Sequence, residues 1–563
     1  MRALAALAVL GPLLGACAAR PPAGEIRFHN RPPVQVVNDR LDTPKKPAKH
    51  TYWAKLVWYD VHFQERITRW MEMRPERRAA DVNSMDEVPD STWFTNRIGV
   101  RDLSPDEIRR GPNGKGSPEK HLPLTIKTSK VSGVAVGFIV EDARGEKYVL
   151  KFDMPEFPES ESNTDVAVQR LLWAAGYNVP EDYVIILRRK DLVMAPDAVI
   201  EDRMGAEKKM TKEFVDLQLS RIHIERDGTI RALASRYLDG EPLGGHPREG
   251  VREGDPNDRV PCQLRRETRG AYAMFSWLDH TDMKEDNTLD TWIEDPADSK
   301  VHYVVHYLVD FGKALGMQAL TGRNKAQGRA YAFDLRDDAL SLASLGLWKR
   351  PWEDRSWPDI PGVGMFETRT YDPGKWKANS PQYRPFLEAD RFDNFWGSKI
   401  LIRFTPAQLR AAVEQGRYSD RRAVDYIVRT LIERQRKTAR YWFARVAPLD
   451  GFAVESDGGG ARLCFEDLSL RHRLVRSAPT ATRYRARAFD GEGRRLPWSV
   501  VATGTRSGRV CLPRLATPAP GADRYTIIRI ETSRPDQNLP GVLVHMARDP
   551  RRGVLRVIGL RRL

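Results

Sequence analysis

The sequence predicts an α+β protein built from more than one domain. With 563 residues, the chain is too long for a single hydrophobic core. Alternating apolar residues predict strands within 134–152 and 213–240, and apolar residues at helical spacing predict helices within 263–279 and 405–445. From residue 451 onward, short alternating stretches separated by Gly, Pro and Asp predict a small all-β, sandwich-like domain.

Composition narrows the class of protein. Apolar residues make up 41% of the chain and charged residues 30%, which excludes a disordered chain and a multi-span membrane protein. Lysine plus arginine number 91 against 76 aspartates and glutamates, so the formal charge is +15. This balance suits anionic partners such as phosphates, nucleic acid, acidic lipid or cell-wall polymer, and it equally suits a solvated basic surface. Fourteen tryptophans indicate large buried cores or pockets.

The first residues are typical of an export signal. A short apolar run over 3–14 ends in Leu14-Gly15-Ala16-Cys17, which resembles a bacterial lipoprotein signal peptide. That resemblance implies removal of 1–16 and lipidation of Cys17; the alternative is a plain secretory signal with an incidental cysteine. We therefore expect a location in the cell envelope, and Ala18 after the cysteine favours an outer membrane, facing the periplasm. Residues 17–50 are predicted to be a tether.

Three further cysteines follow. Cys464 and Cys511 lie in the same strand-rich segment, so a disulfide between them suits an oxidising compartment, while two buried thiols remain the alternative. Cys262 has no obvious partner.

The remaining elements have recognisable boundaries. Residues 51–120 are predicted to be an N-terminal extension in which a helix starts at Ser104, because serine, proline and Glu107 form a capping pattern. The basic run Arg434–Arg440 is interpreted as a solvated helix face. Further along, the pattern predicts, in chain order, a helix over 162–175 that ends at Gly176, two strands over 288–309 around an acidic turn, an irregular tryptophan-rich stretch over 320–400, and helices over 405–416 and 419–445.

The strongest functional signal is the segment His280-Thr281-Asp282-Met283-Lys284-Glu285-Asp286-Asn287, followed at a distance by Asp310-Phe311-Gly312. It resembles the protein-kinase catalytic loop His-Arg-Asp-Leu-Lys-x-x-Asn with its Asp-Phe-Gly companion, and Thr281 replaces the arginine. The resemblance is to atypical bacterial kinase-like proteins akin to the HipA and spore-coat CotH types. It covers about 125–445 and implies a two-lobed protein-kinase-like domain over 121–450, followed by the β domain over 451–563.

The resemblance also departs from the usual pattern. No Ala-Pro-Glu motif follows Asp310, so an activation segment of the usual type is not expected. The gap between Asn287 and Asp310 is longer than usual.

The resemblance assigns the nucleotide contacts. Lys151 follows the apolar strand residues Tyr148-Val149-Leu150, like the phosphate-binding lysine of kinases. Gly133 and Gly137 precede it in a short segment that would lie over the phosphates. Family spacing makes Asp165 the acidic partner of Lys151, and Glu161 is the alternative.

The catalytic roles follow from the same resemblance. Asp282 would position the attacking hydroxyl, and Lys284 would neutralise charge on the transferring group. Asn287 and Asp310 would hold magnesium. The implied cofactors are ATP or another nucleotide, with Mg²⁺.

Two functions remain open at this stage. The first is a nucleotide-dependent phosphotransferase at the cell envelope, with an unknown hydroxyl acceptor. The second is a non-catalytic kinase-fold lipoprotein that acts as a binding or scaffold protein, since ATP is expected to be scarce outside the cytoplasm. Further expected partners are a membrane, through the lipid anchor, and an envelope protein or glycan, through the C-terminal domain; no nucleic-acid partner is expected.

Overall fold

The computed structural model describes residues 27–51, 54–71, 77–129, 135–201, 206–318, 323–456, 461–515, 519 and 521–563. The chain is a mixture of helix and sheet, with one large mixed sheet and several other sheets. It divides into two compact units. The larger comprises 34–83 and 87–446, and the smaller comprises 84–86, 447–563 and the described residues before 34. Cys17 and Gly133 lie outside the described residues.

A seven-stranded sheet dominates the first part of the larger unit. Its strands run in the order β4-β7-β3-β2-β1-β5-β6, and every neighbouring pair is antiparallel except β1 with β5. Alternate residues such as Phe138, Leu150 and Ile230 point into one core, as the two-residue period of a strand requires. The strands are β1 Leu124–Ser129, β2 Gly137–Glu141, β3 Lys147–Phe152, β4 Asp182–Arg188, β5 Leu192–Glu201, β6 Glu207–Lys209 and β7 Thr229–Arg236.

Two helices of this unit begin at capping boxes that the sequence predicts. Ser104 and Thr405 each complete a capping box, with the third helical residue bonded back to the cap. The helices are α1 Ala54–Tyr59, α2 Glu65–Met71, α3 Pro105–Arg110, α4 Glu161–Ala175, α5 Lys212–Leu219, α6 Arg266–Leu278, α7 Leu335–Ala343, α8 Arg384–Glu388, α9 Arg391–Leu401, α10 Pro406–Val413 and α11 Arg421–Phe443, and a π-helical turn, Asp60–Gln64, joins α1 to α2.

The end of α4 depends on a glycine. Gly176 has φ +132°, and a Cβ there would approach the Phe94 ring to 2.2 Å. The helix itself is buried on almost every side, and Val166 packs with Val184 and Leu233 of the sheet. This packing fixes α4 against the seven-stranded sheet.

The interpretation of the basic run on α11 was wrong at Arg434. Its side chain is fully buried, and it donates hydrogen bonds to the carbonyl oxygens of Ser276 and Trp277 at the end of α6, at 2.6 and 2.8 Å. A guanidinium with five donors can satisfy the free carbonyls at a helix terminus, which a periodicity argument does not detect. Arg434 therefore fixes the point where α6 leads into the 280–287 loop.

A small three-stranded sheet sits beside this loop. Its strands are β8 Glu241–Pro242, β9 Thr288–Asp295 and β10 Asp298–Leu308, in the order β10-β9-β8. The β9–β10 hairpin pairs Thr288 with Leu308, so residues that precede β9 lie beside residues that follow β10. The long interval between Asn287 and Asp310 is thus a hairpin whose two ends meet.

The second half of the predicted tether is bound to the larger unit. Val36 pairs with Asp90 as an isolated bridge, and the backbone amide nitrogens of Thr43 and His50 donate to the carbonyl oxygens of His302 and Leu243. These contacts use main-chain groups of distant segments, so the aperiodic, proline-rich sequence of 34–50 gives no sign of them.

The smaller unit contains two sheets that share one core. Sheet β11-β12-β15 supplies Phe465, and the sheet β14-β13-β16-β18-β19, with β17 paired to β16, supplies Tyr484 and Ile528. Cys464 and Cys511 lie opposite each other on β12 and β15 and are disulfide-bonded. The elements are β11 Leu449–Ser456, β12 Ala461–Asp467, α12 Leu468–Arg471, β13 Arg483–Asp490, β14 Arg495–Thr503, β15 Arg509–Cys511, β16 Thr526–Arg534, β17 Gln537–Asn538, β18 Val542–Arg548 and β19 Leu555–Arg562.

Within the part of the chain that the structure describes, no helix combines the length and the apolar character that crossing a membrane requires.

Candidate active site

Lys151 and Asp310 meet although 159 positions separate them in sequence. On β3, Tyr148, Leu150 and Phe152 enter the core of the sheet, and alternation turns Lys151 to the other face. There its Nζ lies 2.7 Å from Asp310 Oδ1 and 3.9 Å from Asp165 Oδ2 on α4. The side chain of Lys151 is only 9% exposed, so its ammonium group contacts a charged cluster and has little contact with solvent.

The charges of this cluster depend on one another. Burial disfavours the charged form of Lys151, but the carboxylates of Asp310 and Asp165 outweigh it and raise the pKa of Lys151. Burial, reinforced by the neighbouring carboxylate of Asp182, raises the pKa of Asp165, and Lys151 opposes that shift. Lys151 therefore stays cationic at any physiological pH.

The backbone around Asp310 is specialised. Asp310 has φ +66°, a left-handed conformation that is unusual for a residue with a side chain. The next amide, of Phe311, donates to Asp165 Oδ2 at 3.1 Å. A Cβ at Gly312 would approach the side chain of Glu161 to 2.2 Å, so any larger residue there would displace Glu161. The Asp310 side chain keeps 39% exposure and remains accessible to a ligand.

Two acidic residues of α4 approach this point. Asp165 forms an ion pair with Lys151. Glu161 packs against Gly312, and its charge helps to raise the pKa of Lys151. The N-terminus of α4 is fixed to the end of β3 by Asp153, whose carboxylate accepts from the amide nitrogens of Glu161 and of two neighbouring residues and from a serine hydroxyl. Asp153 thus holds the helix in the position from which Asp165 reaches Lys151.

The 280–287 loop is anchored by buried residues. The His280 ring is fully buried and stacks on Phe275, with ring centroids 4.5 Å apart; burial lowers its pKa to about 4, so it is neutral. The amide of Thr281 donates to the carbonyl oxygen of Lys313 at 3.2 Å, and its own carbonyl oxygen accepts from the amide of Asn379 at 2.8 Å. The hydrogen bond between Thr281 and Lys313 joins the loop to the segment that carries Asp310.

The carboxylate of Asp282 is held by two lysines. Asp282 Oδ2 lies 3.1 Å from Lys284 Nζ and 2.8 Å from Lys313 Nζ. Asn287 Nδ2 donates to the Asp282 carbonyl oxygen and lies 3.4 Å from Oδ2. Burial acts to raise the pKa of Asp282, but Lys313 and Lys284 outweigh it, so the pKa is lowered and the group is an anion.

Lys313 is the member of the cluster that sequence reasoning missed. It directly follows Asp310-Phe311-Gly312, and this position next to the motif is the sequence feature that could have identified it. Its Nζ pairs with Asp282, and the charges of Asp310 and Glu161 also act on it and help to raise its pKa against the effect of burial. Lys313 therefore links the Asp282 and Asp310 halves of the cluster electrostatically.

Two residues whose side chains carry oxygen donors, Asn287 and Asp310, are brought close by a backbone hydrogen bond. The carbonyl oxygen of Asn287 accepts from the amide of Val309 at 3.0 Å, which places Asn287 next to the residue before Asp310. A carboxylate and an amide oxygen are hard ligands of the kind Mg²⁺ prefers. The donor set of these two residues fits Mg²⁺.

Of the two glycines predicted to lie over phosphates, Gly137 is described. It begins β2 and pairs with Lys151 in the β2–β3 register.

Comparisons with known proteins add little to this geometry. No protein-family model matches the chain, and no curated protein matches it. A solved structure of the Rio2 kinase–ADP/Mg²⁺-phosphoaspartate complex from Chaetomium thermophilum is similar at 15% identity and a TM-score of 0.20, covering 54% of this chain and 73% of that one. At that TM-score the similarity says nothing about the site of this chain.

Proposed function

We propose that residues 121–450 form a two-lobed kinase-like domain and that the protein is a nucleotide-dependent phosphotransferase acting on a hydroxyl acceptor. One observation carries the proposal: a buried strand lysine, Lys151, bonds the carboxylate of Asp310. The charge of Asp310 also acts on Asp282, which pairs with two further lysines. Perturbed ionisable groups gathered at one partly open point are typical of catalytic sites.

Each side chain has a role that matches its placement. Lys151, steadied by Asp165, would bind the nucleotide phosphates. Asp310 and Asn287 would hold Mg²⁺, which would supply charge neutralisation on the phosphates when bound. The remaining role, orientation of the acceptor, would belong to the carboxylate of Asp282.

Asp282 would orient the acceptor hydroxyl and take its proton. Because Lys284 and Lys313 hold Oδ2, the carboxylate is fixed in direction, and its other oxygen is the one left to receive the hydroxyl. Lys284 would lie next to the transferring phosphoryl group, where a positive charge stabilises the developing negative charge.

A scaffold function is the second candidate, and one contact favours it. The Lys151–Asp310 ion pair, at 2.7 Å, already satisfies the two charges that nucleotide and metal would otherwise engage. A protein that never binds nucleotide would retain this arrangement without loss.

Nucleotide-dependent thermal unfolding distinguishes the two functions. We expect a panel of nucleoside triphosphates to raise the unfolding temperature only when Mg²⁺ is present, since a ligand at 100 times its Kd stabilises the native state by about 2.7 kcal/mol. Chelation of the metal should reverse the effect. The same temperature with every nucleotide, with and without Mg²⁺, would support the scaffold.

We also propose that the mature protein is anchored in the cell envelope by acylation of Cys17, as the motif Leu14-Gly15-Ala16-Cys17 implies. Cys17→Ser should move the protein from the membrane fraction to the soluble fraction, because two or more acyl chains hold a protein on a membrane and their loss releases it. Ala18→Ser is the matched control and should stay with the membrane. Equal membrane association of both variants in cell fractionation would contradict the anchor.

A further inference from the structure

The last 117 residues have an unusual charge composition. Residues 447–563 contain 21 arginines, no lysine and 11 acidic residues, a formal excess of 21 − 11 = +10 out of +15 for the whole chain. Solvation of a surface requires charge but does not require guanidinium groups in particular. Arginine differs from lysine in presenting a planar, five-donor group that binds phosphate oxygens in pairs.

Three of these arginines form a row on one strand. Arg483, Arg485 and Arg487 alternate along β13, so their side chains leave the same face of the sheet about 7 Å apart. The intervening residues Tyr484 and Ala486 are fully buried in the core on the opposite face. The row therefore lies on the outer face of the sheet.

The neighbours of the row on β14 are small or weakly polar. Arg483 is opposite Thr503, Arg485 is opposite Val501, and Arg487 is opposite Ser499. All three β14 residues are exposed, and Val501 keeps 58% exposure. We call the surface made by Arg483, Arg485, Arg487, Ser499, Val501 and Thr503 the arginine face.

Few acidic side chains neutralise the positive charges of the arginine face. On the other side of β13, Glu531 is opposite Arg485, and it lies 3.8 Å from Arg487 and 3.1 Å from Arg529. Among the residues that the structure describes, no carboxylate forms an ion pair with Arg483 or Arg485. Like charges that alternate on one strand repel each other, and a bound anion removes that repulsion.

We propose that the arginine face binds a linear phosphodiester polymer. Arginines about 7 Å apart along a strand present a linear series of positive charges to the successive phosphates of such a chain. Each guanidinium can donate two parallel hydrogen bonds to one phosphate. The small side chains of β14 leave room for the polymer to lie along the row, and the inference is independent of the phosphotransferase site.

The geometry favours a chain over a membrane surface. A row on one strand matches a linear ligand, whereas binding to a bilayer usually adds several apolar side chains that enter the headgroup region. Within the arginine face, Val501 is the only apolar member. An anionic bilayer is therefore an alternative outcome of the test.

The full chain can be tested with labelled oligothymidylate, used as a defined phosphodiester chain, by fluorescence anisotropy over a series of salt concentrations. The triple variant Arg483→Gln, Arg485→Gln, Arg487→Gln should weaken binding at least tenfold. It should also reduce the slope of log K against log salt by about 2, because each lost single-strand phosphate contact contributes about 0.7.

A matched variant removes the same charge elsewhere in the smaller unit: Arg476→Gln, Arg506→Gln, Arg552→Gln, all exposed and all outside β13 and β14. It should change the slope by much less than the first triple, with circular dichroism confirming that both variants are folded. Equal losses in the two triples, or no binding by the wild type, would overturn the proposal. So would binding to anionic phospholipid vesicles or polyglutamate that equals or exceeds binding to oligothymidylate.

Discussion

Replacing Asp310 is expected to abolish Mg²⁺-dependent nucleotide binding. Its carboxylate is the accessible oxygen ligand of the cluster, and Asn287, the other proposed ligand, is a neutral amide. Without the carboxylate, one amide oxygen is too weak a donor to hold a hydrated divalent cation. We expect no nucleotide-dependent increase in unfolding temperature for Asp310→Ala, at concentrations that shift the wild type by several degrees.

Stability must be separated from binding in this experiment. Asp310→Ala removes the carboxylate nearest to the buried ammonium of Lys151 and leaves the more distant Asp165, so the variant should also be less stable without ligand. Asp310→Asn keeps the shape and a hydrogen-bonding oxygen, and Asp298→Asn, at the far end of the β9–β10 hairpin, is the matched control. A folded Asp310→Asn variant that retains the full Mg²⁺-dependent shift would show that the metal site lies elsewhere.

The parts of the fold that sequence predicts well are those fixed by local chemistry. The capping boxes at Ser104 and Thr405 and the stop at Gly176 depend on residues within one helical turn. The β9–β10 hairpin likewise follows from alternation on either side of an acidic turn. These elements could be located from the sequence because their determinants are neighbours along the chain.

The candidate site was only partly predictable. Lys151, Asp282 and Asp310 were named from motifs, but no sequence pattern states that they share one cluster, because strand register and helix packing bring them together. Lys313 was missed, since its significance comes from a 2.8 Å contact with a side chain 31 positions earlier. The prediction for Arg434 is wrong for the same reason: the α6 carbonyl oxygens that accept its hydrogen bonds are more than 150 positions away.

The disulfide shows what the sequence cannot predict in the smaller unit. The sequence predicts a disulfide between Cys464 and Cys511 but leaves two buried thiols as an alternative, because the pairing of β12 with β15 decides whether they face each other. Registers between strands 47 positions apart depend on the shared core, not on the residues beside each cysteine.

Replacing Asp282 should separate turnover from binding. Asp282 lies beside the proposed metal ligands but forms its ion pairs with Lys284 and Lys313, not with Lys151. Asp282→Asn preserves the shape of the side chain and an oxygen that can accept hydrogen bonds from those lysines, while it removes the negative charge and the ability to accept a proton. We expect Mg²⁺-nucleotide affinity within about threefold of the wild type and turnover lowered by about 10² to 10⁴, the range for a lost general base.

The control for this variant is Asp286→Asn, an exposed acid of the same loop, which should leave both quantities nearly unchanged. Turnover is best followed as Mg²⁺-dependent nucleotide hydrolysis, because water can replace the unknown acceptor. Loss of nucleotide binding in Asp282→Asn would mean that this carboxylate supports the metal site instead. Unchanged turnover in a folded Asp282→Asn variant would exclude it as the group that orients the acceptor, because the amide cannot take the proton that the carboxylate is proposed to receive.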